Sequence, residues 1–203
     1  MILINSAMES ENAKFNSTVN HDYLKSLDKD ELLKIDLEYL SKLGFKNQGY
    51  LTDPAGAEPY QLLAYMSQQY TDSIILDIGS FYGNSALALS HNDNNKVISY
   101  DIIDHGQTGI KKDNIEWKVI DFRNDDSIDY SKVVAISLDV DPHDGVKEPE
   151  MINFLKEKGW SGPIILDDIN LSSNMKEFWE SLEDYKLDIT SYGHMTGTGL
   201  LML

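Results

Sequence analysis

The chain has 203 residues, of which 41% are hydrophobic and 25% charged, enough for one α/β domain with a substantial core. Asp and Glu number 34 against 17 Lys and Arg, and the net charge of -17 disfavours nucleic-acid and anionic-membrane partners. The absence of cysteine excludes disulfides, thiolate metal sites and cysteine nucleophiles. No apolar run reaches the roughly 20 residues that span a bilayer, so we expect a cytoplasmic protein.

The N-terminal residues 1–50 are predicted to form a region of their own. Residues 5–20 are polar and lack periodicity, which is typical of a flexible arm. Residues 22–43 place leucine and isoleucine at helical spacing among charges, which predicts one amphipathic helix. The arm and the helix together are candidates for a lid over a site in residues 51–203.

Residues 51–203 are predicted to form a single α/β domain in which strands and helices alternate. Such alternation indicates a mostly parallel seven-stranded sheet with helices on both faces. The links after the second and third strands are too short for full helices, and the last two strands must be antiparallel neighbours. An edge at the last strand would permit a homo-oligomer. The predicted strands are 73–78, 96–101, 115–120, 132–139, 163–167, 187–192 and 198–203, and the predicted helices are 60–70, 84–91, 147–158 and 172–184.

A strand, a glycine turn and a helix are predicted in succession over 73–91. Asp77 lies near the end of the apolar run, and Gly79 and Gly83 follow it. Glycine permits a ligand to approach the backbone closely, and the helix N-terminus offers free N–H groups. Asp77 would repel a diphosphate, so the turn favours a cofactor that carries positive charge.

Acidic residues also end the next two predicted strands. Asp101 lies about 20 residues after the glycine turn, where nucleotide-binding sheets place an acid that accepts hydrogen bonds from ribose. Asp121 and Phe122 end the third strand and suit contact with an adenine ring, although Phe122 is equally suited to the core. Capping of the following turn is the alternative role for Asp101.

A second acidic group follows the fourth and fifth predicted strands, whose carboxyl ends should share one edge of the sheet. Carboxylates that converge there repel each other unless a cation joins them, and oxygen ligands suit Mg²⁺, Mn²⁺ or Ca²⁺. The alternative explanation for these acids is that they cap loops and helices and face water. His143 and His194 are candidates for a general base at the same edge. The acids are Asp139, Asp141, Asp144, Asp167 and Asp168.

The segment Asp77–Ser85 resembles the first motif of class I S-adenosylmethionine-dependent O-methyltransferases. The catechol and caffeoyl-CoA branch of that family has the pattern acid-x-Gly-x-aromatic-x-Gly-x-Ser. The resemblance covers roughly residues 55–203 and implies a Rossmann-like methyltransferase fold with a reversed last strand. It also implies that Asp77 and Gly79 line the methionine part of the cofactor, that Ser85 binds its carboxylate and that Asp101 binds its ribose.

The resemblance further implies a divalent metal, with magnesium expected. Asp139 and Asp168 match two metal-binding acids of the catechol branch, but Ile169 stands where that branch has an amide. The Asp167-Asp168 pair instead resembles the Glu-Asp pair of cephalosporin-hydroxylase-like and sugar O-methyltransferases. The stretch from Asp139 to His143 resembles their Asp-x-Asp-His motif with one inserted residue.

The predicted function is methyl transfer from S-adenosylmethionine to a hydroxyl of a small-molecule acceptor, assisted by the metal. The catalytic lysine of the catechol branch is missing, which leaves His143, Asp141 and Lys147 as candidates for the base. A nicotinamide oxidoreductase, a metal-dependent hydroxylase on the same fold and a catalytically silent binding protein are the alternatives. The predicted cofactor-binding residues are Asp77, Gly79, Ser80, Phe81, Gly83, Ser85, Asp101, Asp121, Phe122 and Asp139, and the predicted metal ligands are Asp139, Asp167 and Asp168.

Overall fold

Seven strands form one mixed sheet in the computed structural model, which describes residues 21–44, 48–53 and 56–203. The strand order is β3-β2-β1-β4-β5-β7-β6, and β7 runs antiparallel to both of its neighbours. The predicted sheet with a reversed last strand is therefore confirmed. The strands are β1 Ile74–Ile78, β2 Lys96–Asp101, β3 Ile115–Val119, β4 Val133–Leu138, β5 Pro163–Asp167, β6 Tyr185–Asp188 and β7 Thr198–Met202.

The last strand is not an edge of the sheet, contrary to the sequence-based expectation. β7 lies between β5 and β6, so the edges are β6 and β3. The short link between β6 and β7 predicts that these two strands pair with each other. It does not determine which of them also pairs with β5, so the sequence does not show which of the two is internal. The homo-oligomer stays a prediction.

Four of the helices flank the sheet or lead into it, and two lie in the N-terminal region. Only 3₁₀ turns, at Gln107–Gly109, Phe122–Asn124 and Tyr130–Lys132, occupy the links after β2 and β3, which confirms the predicted abbreviation. No helix in the described part of the chain is long and apolar enough to cross a bilayer. The helices are α1 Lys29–Leu32, α2 Glu38–Ser41, α3 Glu58–Gln68, α4 Asn84–Leu89, α5 Lys147–Glu157 and α6 Ser173–Ser181.

The core consists of two layers, one on each face of the sheet. Because side chains alternate along a strand, Ile75 joins the layer formed with α3 and α4, and Leu76 joins the layer on the opposite face. That opposite layer contains Ile152 of α5 and Phe178 of α6. Both faces of the central strands are thus buried, as expected for a parallel sheet covered by helices.

The predicted continuous helix over 22–43 is wrong. The structure has a 3₁₀ turn at Asp22–Lys25 and the two single-turn helices α1 and α2 instead. Asp28 accepts a hydrogen bond from the Asp30 backbone N–H, and Asp36 accepts one from that of Glu38. Aspartate side chains that bond to nearby backbone favour helix starts and turns, so they divide the leucine-rich segment into short pieces.

Four leucines of this segment, Leu24, Leu32, Leu37 and Leu40, are buried even though the helix is divided, whereas Leu33 and Leu43 are exposed. Leu24, Leu32 and Leu40 are in the same core layer as Leu62 of α3 and Leu87 of α4. The predicted arm over 5–20 lies outside the described residues, so the lid and the division into 1–50 and 51–203 stay predictions. Residues 21–44 cover the α3–α4 side of the core.

Lys186 of β6 connects the sheet edge to the end of α6. Its ammonium group donates hydrogen bonds to the carbonyl oxygens of Trp179, at 2.6 Å, Glu180, at 2.9 Å, and Leu182, at 2.6 Å. The last carbonyls of a helix have no partner within the helix, and a cation there also complements the helix dipole. Lys186 therefore holds α6 against β6, the outer strand of the β6–β7 hairpin.

We expect Lys186→Met to lower the free energy of unfolding by about 1–3 kcal/mol, because hydrogen bonds to a charged group are lost while the side-chain length is kept. Urea titration measures this change. Lys176→Met, an exposed substitution on α6, is the matched control and should shift the value by less than about 0.5 kcal/mol. Equal effects from the two variants would contradict the capping role.

Candidate active site

The glycine turn between β1 and α4 has the predicted strand-turn-helix form. Gly79 and Gly83 have φ values of 94° and 87°, a left-handed conformation that glycine adopts without strain. A Cβ atom on Gly79 would lie 1.6 Å from the carbonyl oxygen of Asp139. The backbones at the ends of β1 and β4 are therefore in direct contact, and no side chain fits between them.

Asp101, at the end of β2, fixes the conformation of this turn. One carboxylate oxygen accepts a hydrogen bond from the backbone N–H of Phe81, at 2.8 Å, and the other accepts from that of Ile103, at 3.0 Å. A carboxylate oxygen has a second lone pair, so Asp101 can still accept hydrogen bonds from a ligand. This geometry is compatible with the predicted ribose contact.

Asp77 lies beneath the turn and does not line either of the two cavities described below. Its side chain is 1% exposed and accepts a hydrogen bond from the Ser99 hydroxyl at 2.6 Å. Burial raises the pKa of Asp77 to about 7, although hydrogen bonds from Ser99 and Ser85 act in the opposite direction. A positive charge bound nearby would favour the ionised form.

The first cavity, of about 460 Å³, lies over the ends of β1, β2 and β3. Asp101, Asp121 and Phe122 all line it, so the structure brings together the residues predicted for the nucleoside. Asp121 is engaged by Arg123, whose guanidinium donates to both carboxylate oxygens at 2.7–3.1 Å. Phe122 is 1% exposed and packs edge-on against Tyr100, so most of its surface belongs to the core.

Three isoleucines at this cavity were not identified from the sequence. Ile102, Ile103 and Ile120 are 65%, 55% and 40% exposed, directly after the ends of β2 and β3. Exposed large apolar side chains that line a cavity offer a surface for a flat, apolar ligand group. Their position immediately beside the strand-end acids Asp101 and Asp121 is the feature of the sequence that could have identified them as cavity residues.

A second cavity, of about 400 Å³, adjoins the first and lies between α3, α4 and the ends of β4 and β5. Gly79, Phe81, Asp139 and His143 line both cavities, so the two meet at the glycine turn. The other lining residues are Tyr50, Gly56, Pro59, Tyr60, Leu62, Leu63, Ser80, Tyr82, Asn84, Ser85, Ser137, Ile165, Asp167, Asp168, His194 and Thr198.

His143 lies where the acidic side chains converge. Its Nε2 atom is 3.6 Å from Asp139 Oδ1, 3.3 Å from Asp141 Oδ1 and 3.5 Å from Asp168 Oδ2. The predicted convergence of the acids after β4 and β5 is therefore present for Asp139, Asp141 and Asp168, whereas Asp144 accepts a hydrogen bond from the backbone N–H of Val146 and lines neither cavity. Lys147 lines only the first cavity, and its ammonium donates to the backbone oxygen of Asp141 at 3.1 Å.

The other oxygen of Asp168 faces the β6–β7 hairpin. The Thr196 hydroxyl donates a hydrogen bond to Asp168 Oδ1 and lies 2.6 Å from His194 Nδ1. His194 Nδ1 is also 3.4 Å from Asp168 Oδ1 and 3.8 Å from Asp167 Oδ2. Thr196, which had no assigned role from the sequence, thus links the hairpin to the acidic group.

Burial and mutual repulsion oppose ionisation of these acids. The Asp139 side chain is 42% exposed to the cavities, but desolvation by the protein around it, and then the charges of Asp167 and Asp168, raise the pKa of Asp139 above its ordinary range. Burial and the Asp168 charge likewise raise the pKa of Asp167 to about 6. Burial also disfavours the Asp168 carboxylate, but hydrogen bonds from His194 and Thr196 outweigh it and lower the pKa of Asp168. The hydrogen bond to Asp168 raises the pKa of His194.

The residues present fit a divalent cation. Asp139, His143 and Asp168 each offer one ligand atom, and these atoms lie within 4.8 Å of one another. Asp167, Asp168 and His194 form a second such group. Asp167 Oδ1 is buried and has no hydrogen-bond partner among the residues that the structure describes. A buried oxygen without a donor beside other carboxylates is a suitable position for a positive charge.

Solved structures match the chain, although no protein-family model and no curated protein matches its sequence. An SAH-bound methyltransferase from Podospora anserina gives a TM-score of 0.53 at 14% identity, covering 86% of this chain and 88% of that one. The O-methyltransferase from Bacillus cereus in complex with SAH gives 0.54 at 18%, covering 86% and 93%. Cofactor-bound Rv0187 from MTB gives 0.55 at 12%, covering 90% and 97%.

The likeness to these solved structures over most of both chains, together with the seven-stranded sheet and its reversed last strand, decides the architecture. The chain has the class I methyltransferase fold. Identities this low establish the fold and nothing beyond it. In this methyltransferase fold, the two cavities lie at the carboxyl ends of the parallel strands, where open α/β sheets bind their ligands.

We expect Asp77→Asn to stabilise the cofactor-free protein increasingly as the pH rises from about 5 to about 8. At pH values between the ordinary pKa of aspartate and about 7, Asp77 keeps a proton in the folded protein that it has lost in the unfolded chain. The free energy of unfolding of the wild type therefore falls as the pH rises. Asparagine removes this dependence, and thermal unfolding across the pH range measures it. Asp126→Asn, at an exposed position, is the control. A melting-temperature difference that stays constant with pH would contradict the assignment.

Proposed function

We propose that the protein transfers the methyl group of S-adenosylmethionine to a hydroxyl oxygen of a small molecule, with the assistance of a divalent cation. The observation that carries the proposal is the junction of two cavities at Gly79 and Asp139, with carboxylates on both sides. Similar structures named as methyltransferases, two of them with SAH, support the cofactor assignment. The assignment of a hydroxyl acceptor and of a divalent cation rests on the chemistry of the residues at the site.

The first cavity suits the nucleoside half of the cofactor. Asp101 holds the glycine turn through two backbone N–H groups and has lone pairs left for ribose hydroxyls. Ile102 and Ile120 present apolar surface at the same cavity, which favours a purine ring. Phe122 is mostly enclosed in the core, so we assign the exposed isoleucines the larger share of the adenine contact.

The junction suits the positively charged half of the cofactor. The Asp139 carbonyl fills the space that a Cβ atom on Gly79 would take, and both residues line the two cavities where they meet. The Oδ1 atom of Asn84 is buried and has no hydrogen-bond partner in the described part of the chain. Asn84 and Ser85 line the second cavity, where an ammonium group could donate to Asn84 Oδ1. The Ser85 hydroxyl already donates its one proton to Asp77, so it offers a ligand in this cavity a lone pair and no donor.

The second cavity leaves room for the acceptor beside the acidic residues. A divalent cation held by Asp139 and Asp168 would lower the pKa of the acceptor hydroxyl and orient its oxygen. Tyr60 and Leu63 line the cavity on the α3 side and reduce access of water. No lysine or arginine lines this cavity in the described part of the chain, so a neutral or cationic acceptor is favoured over an anionic one.

Three side chains are candidates for accepting the proton of the acceptor hydroxyl. His143 lines both cavities, whereas Asp141 and Lys147 line only the first. Asp141 has a side chain that is 89% exposed, so a proton on its carboxylate exchanges readily with solvent. Lys147 already donates to a backbone oxygen. The positions favour His143 or Asp141 over Lys147.

Calorimetric titration of the full chain with S-adenosylmethionine, SAH and NAD tests the cofactor. We expect heat with both sulfur compounds and none with NAD, and Asp101→Asn should weaken SAH binding about tenfold or more, because a charged acceptor is lost. Asp113→Asn, at an exposed position before β3, is the matched control and should bind normally. Binding of NAD alone would refute the proposal and favour an oxidoreductase.

SAH release from a panel of hydroxyl-bearing acceptors tests the cation. We expect a chelator to abolish methyl transfer, added divalent cation to restore it, and Asp168→Ala to reduce it about a hundredfold or more. Asp126→Ala, an exposed acid outside both cavities, is the control. Methyl transfer that survives the chelator unchanged, in the wild type and in Asp168→Ala, would refute the role of a metal.

A further inference from the structure

His143 offers a nitrogen atom in the middle of the acidic group. Nε2 lies 3.6 Å from Asp139 Oδ1 and 3.5 Å from Asp168 Oδ2. Two atoms bound to one ion at about 2.1 Å each lie at most about 4.2 Å apart, so these separations are compatible with a shared ion. The imidazole is 15% exposed, which limits its freedom to turn away. All three ligand atoms lie within 4.8 Å of one another, so small side-chain movements would place them around one ion.

The hairpin orients Asp168 toward His143. Thr196 donates to Oδ1 of Asp168, and His194 Nδ1 lies beside the same threonine hydroxyl. This leaves Oδ2 facing His143. Hydrogen bonds from outer residues that fix one carboxylate oxygen are typical of metal sites, because they present the other oxygen to the ion. His194 and Thr196 are therefore positioning residues in this arrangement.

Among the residues that the structure describes, two oxygen atoms without donors lie in this region: Asn84 Oδ1, which the proposed function assigns to the ammonium group of the cofactor, and Asp167 Oδ1, which lies beside the acids that would hold the cation. Asn84 is 7% exposed, lines the second cavity with Asp139 and His143, and has an Oδ1 atom without a partner among the described residues. Asp167 Oδ1 is also buried and unpartnered there. Buried oxygen atoms without donors are rare in folded proteins and point to groups that the chain does not supply.

We propose that His143 Nε2 is a ligand of the cation held by Asp139 and Asp168, and that this nitrogen–oxygen set selects Mn²⁺ or a similar transition ion over Mg²⁺. The inference rests on the proposed function for the presence of the cation. Mg²⁺ prefers oxygen ligands alone, whereas imidazole suits first-row transition ions. A nitrogen that binds the ion is not free to take a proton, which removes His143 from the candidates for the base.

Pulsed electron paramagnetic resonance of the Mn²⁺-loaded full chain, stripped of other metals and saturated with SAH, tests the ligand directly. We expect a ¹⁴N coupling to Mn²⁺ in the wild type, and its replacement by a ¹⁵N coupling when the protein is labelled with ¹⁵N-histidine. The labelled wild type decides the question even where a variant fails to fold. Bound Mn²⁺ without any nitrogen coupling would overturn the proposal.

Two matched variants identify the histidine. His143→Asn should remove the nitrogen coupling and reduce Mn²⁺ affinity about tenfold or more, with a much smaller change for Mg²⁺, because the amide oxygen suits Mg²⁺. His194→Asn should keep the coupling. A higher affinity for Mn²⁺ than for Mg²⁺ in the wild type is not evidence for a nitrogen ligand, because Mn²⁺ binds more tightly than Mg²⁺ at many oxygen-only sites. The evidence is the change in each affinity between the wild type and the variants. A coupling that persists in His143→Asn and vanishes in His194→Asn would overturn the assignment.

The failure of this inference is distinguishable from failure of the proposed function. Normal SAH binding without Mn²⁺ binding at millimolar concentration would overturn the ligand role and leave the cofactor assignment standing. Absence of SAH binding would instead refute the proposed function, and the nitrogen coupling is then measured without SAH. SAH affinity of each variant, measured by calorimetry, reports whether that variant is folded.

Discussion

Repulsion among carboxylates at one edge of the sheet is the constraint on which the site depends. Asp139, Asp167 and Asp168 lie together at the ends of β4 and β5, and burial adds to the cost of their ionisation. Such a group costs stability unless positive charge lies beside it. Under the proposed function, a sulfonium cofactor and a divalent cation would supply that charge and offset the repulsion.

The sequence was sufficient to predict the sheet and the edge that carries the site. Parallel strands present their carboxyl ends on one side, so Asp101, Asp139 and Asp168 could be brought together from their positions after strands alone. The glycine turn was predictable because Gly79 and Gly83 have the left-handed φ values that their residue type suggests. These features depend on local pattern and strand direction.

Other features depend on packing between distant segments, which the sequence pattern does not encode. The division of the predicted helix over 22–43 results from competition between Asp28 and Asp36 side chains and the helical backbone, a balance that leucine spacing does not reveal. The orientation of Asp168 by Thr196 requires the hairpin to fold back over β5. The exposure of Ile102 likewise follows from the shape of the loop after β2.

The position of β7 also has a consequence for the order in which the molecule assembles. Among the described strands, β6 precedes β7 in the chain but pairs only with β7, so it cannot join the sheet until β7 has docked against β5 or formed the hairpin. Thr196, which lies just before β7, reaches Asp168 only at that stage. The final orientation of Asp168 therefore depends on the docking of the β6–β7 hairpin as well as on the pairing of β4 with β5.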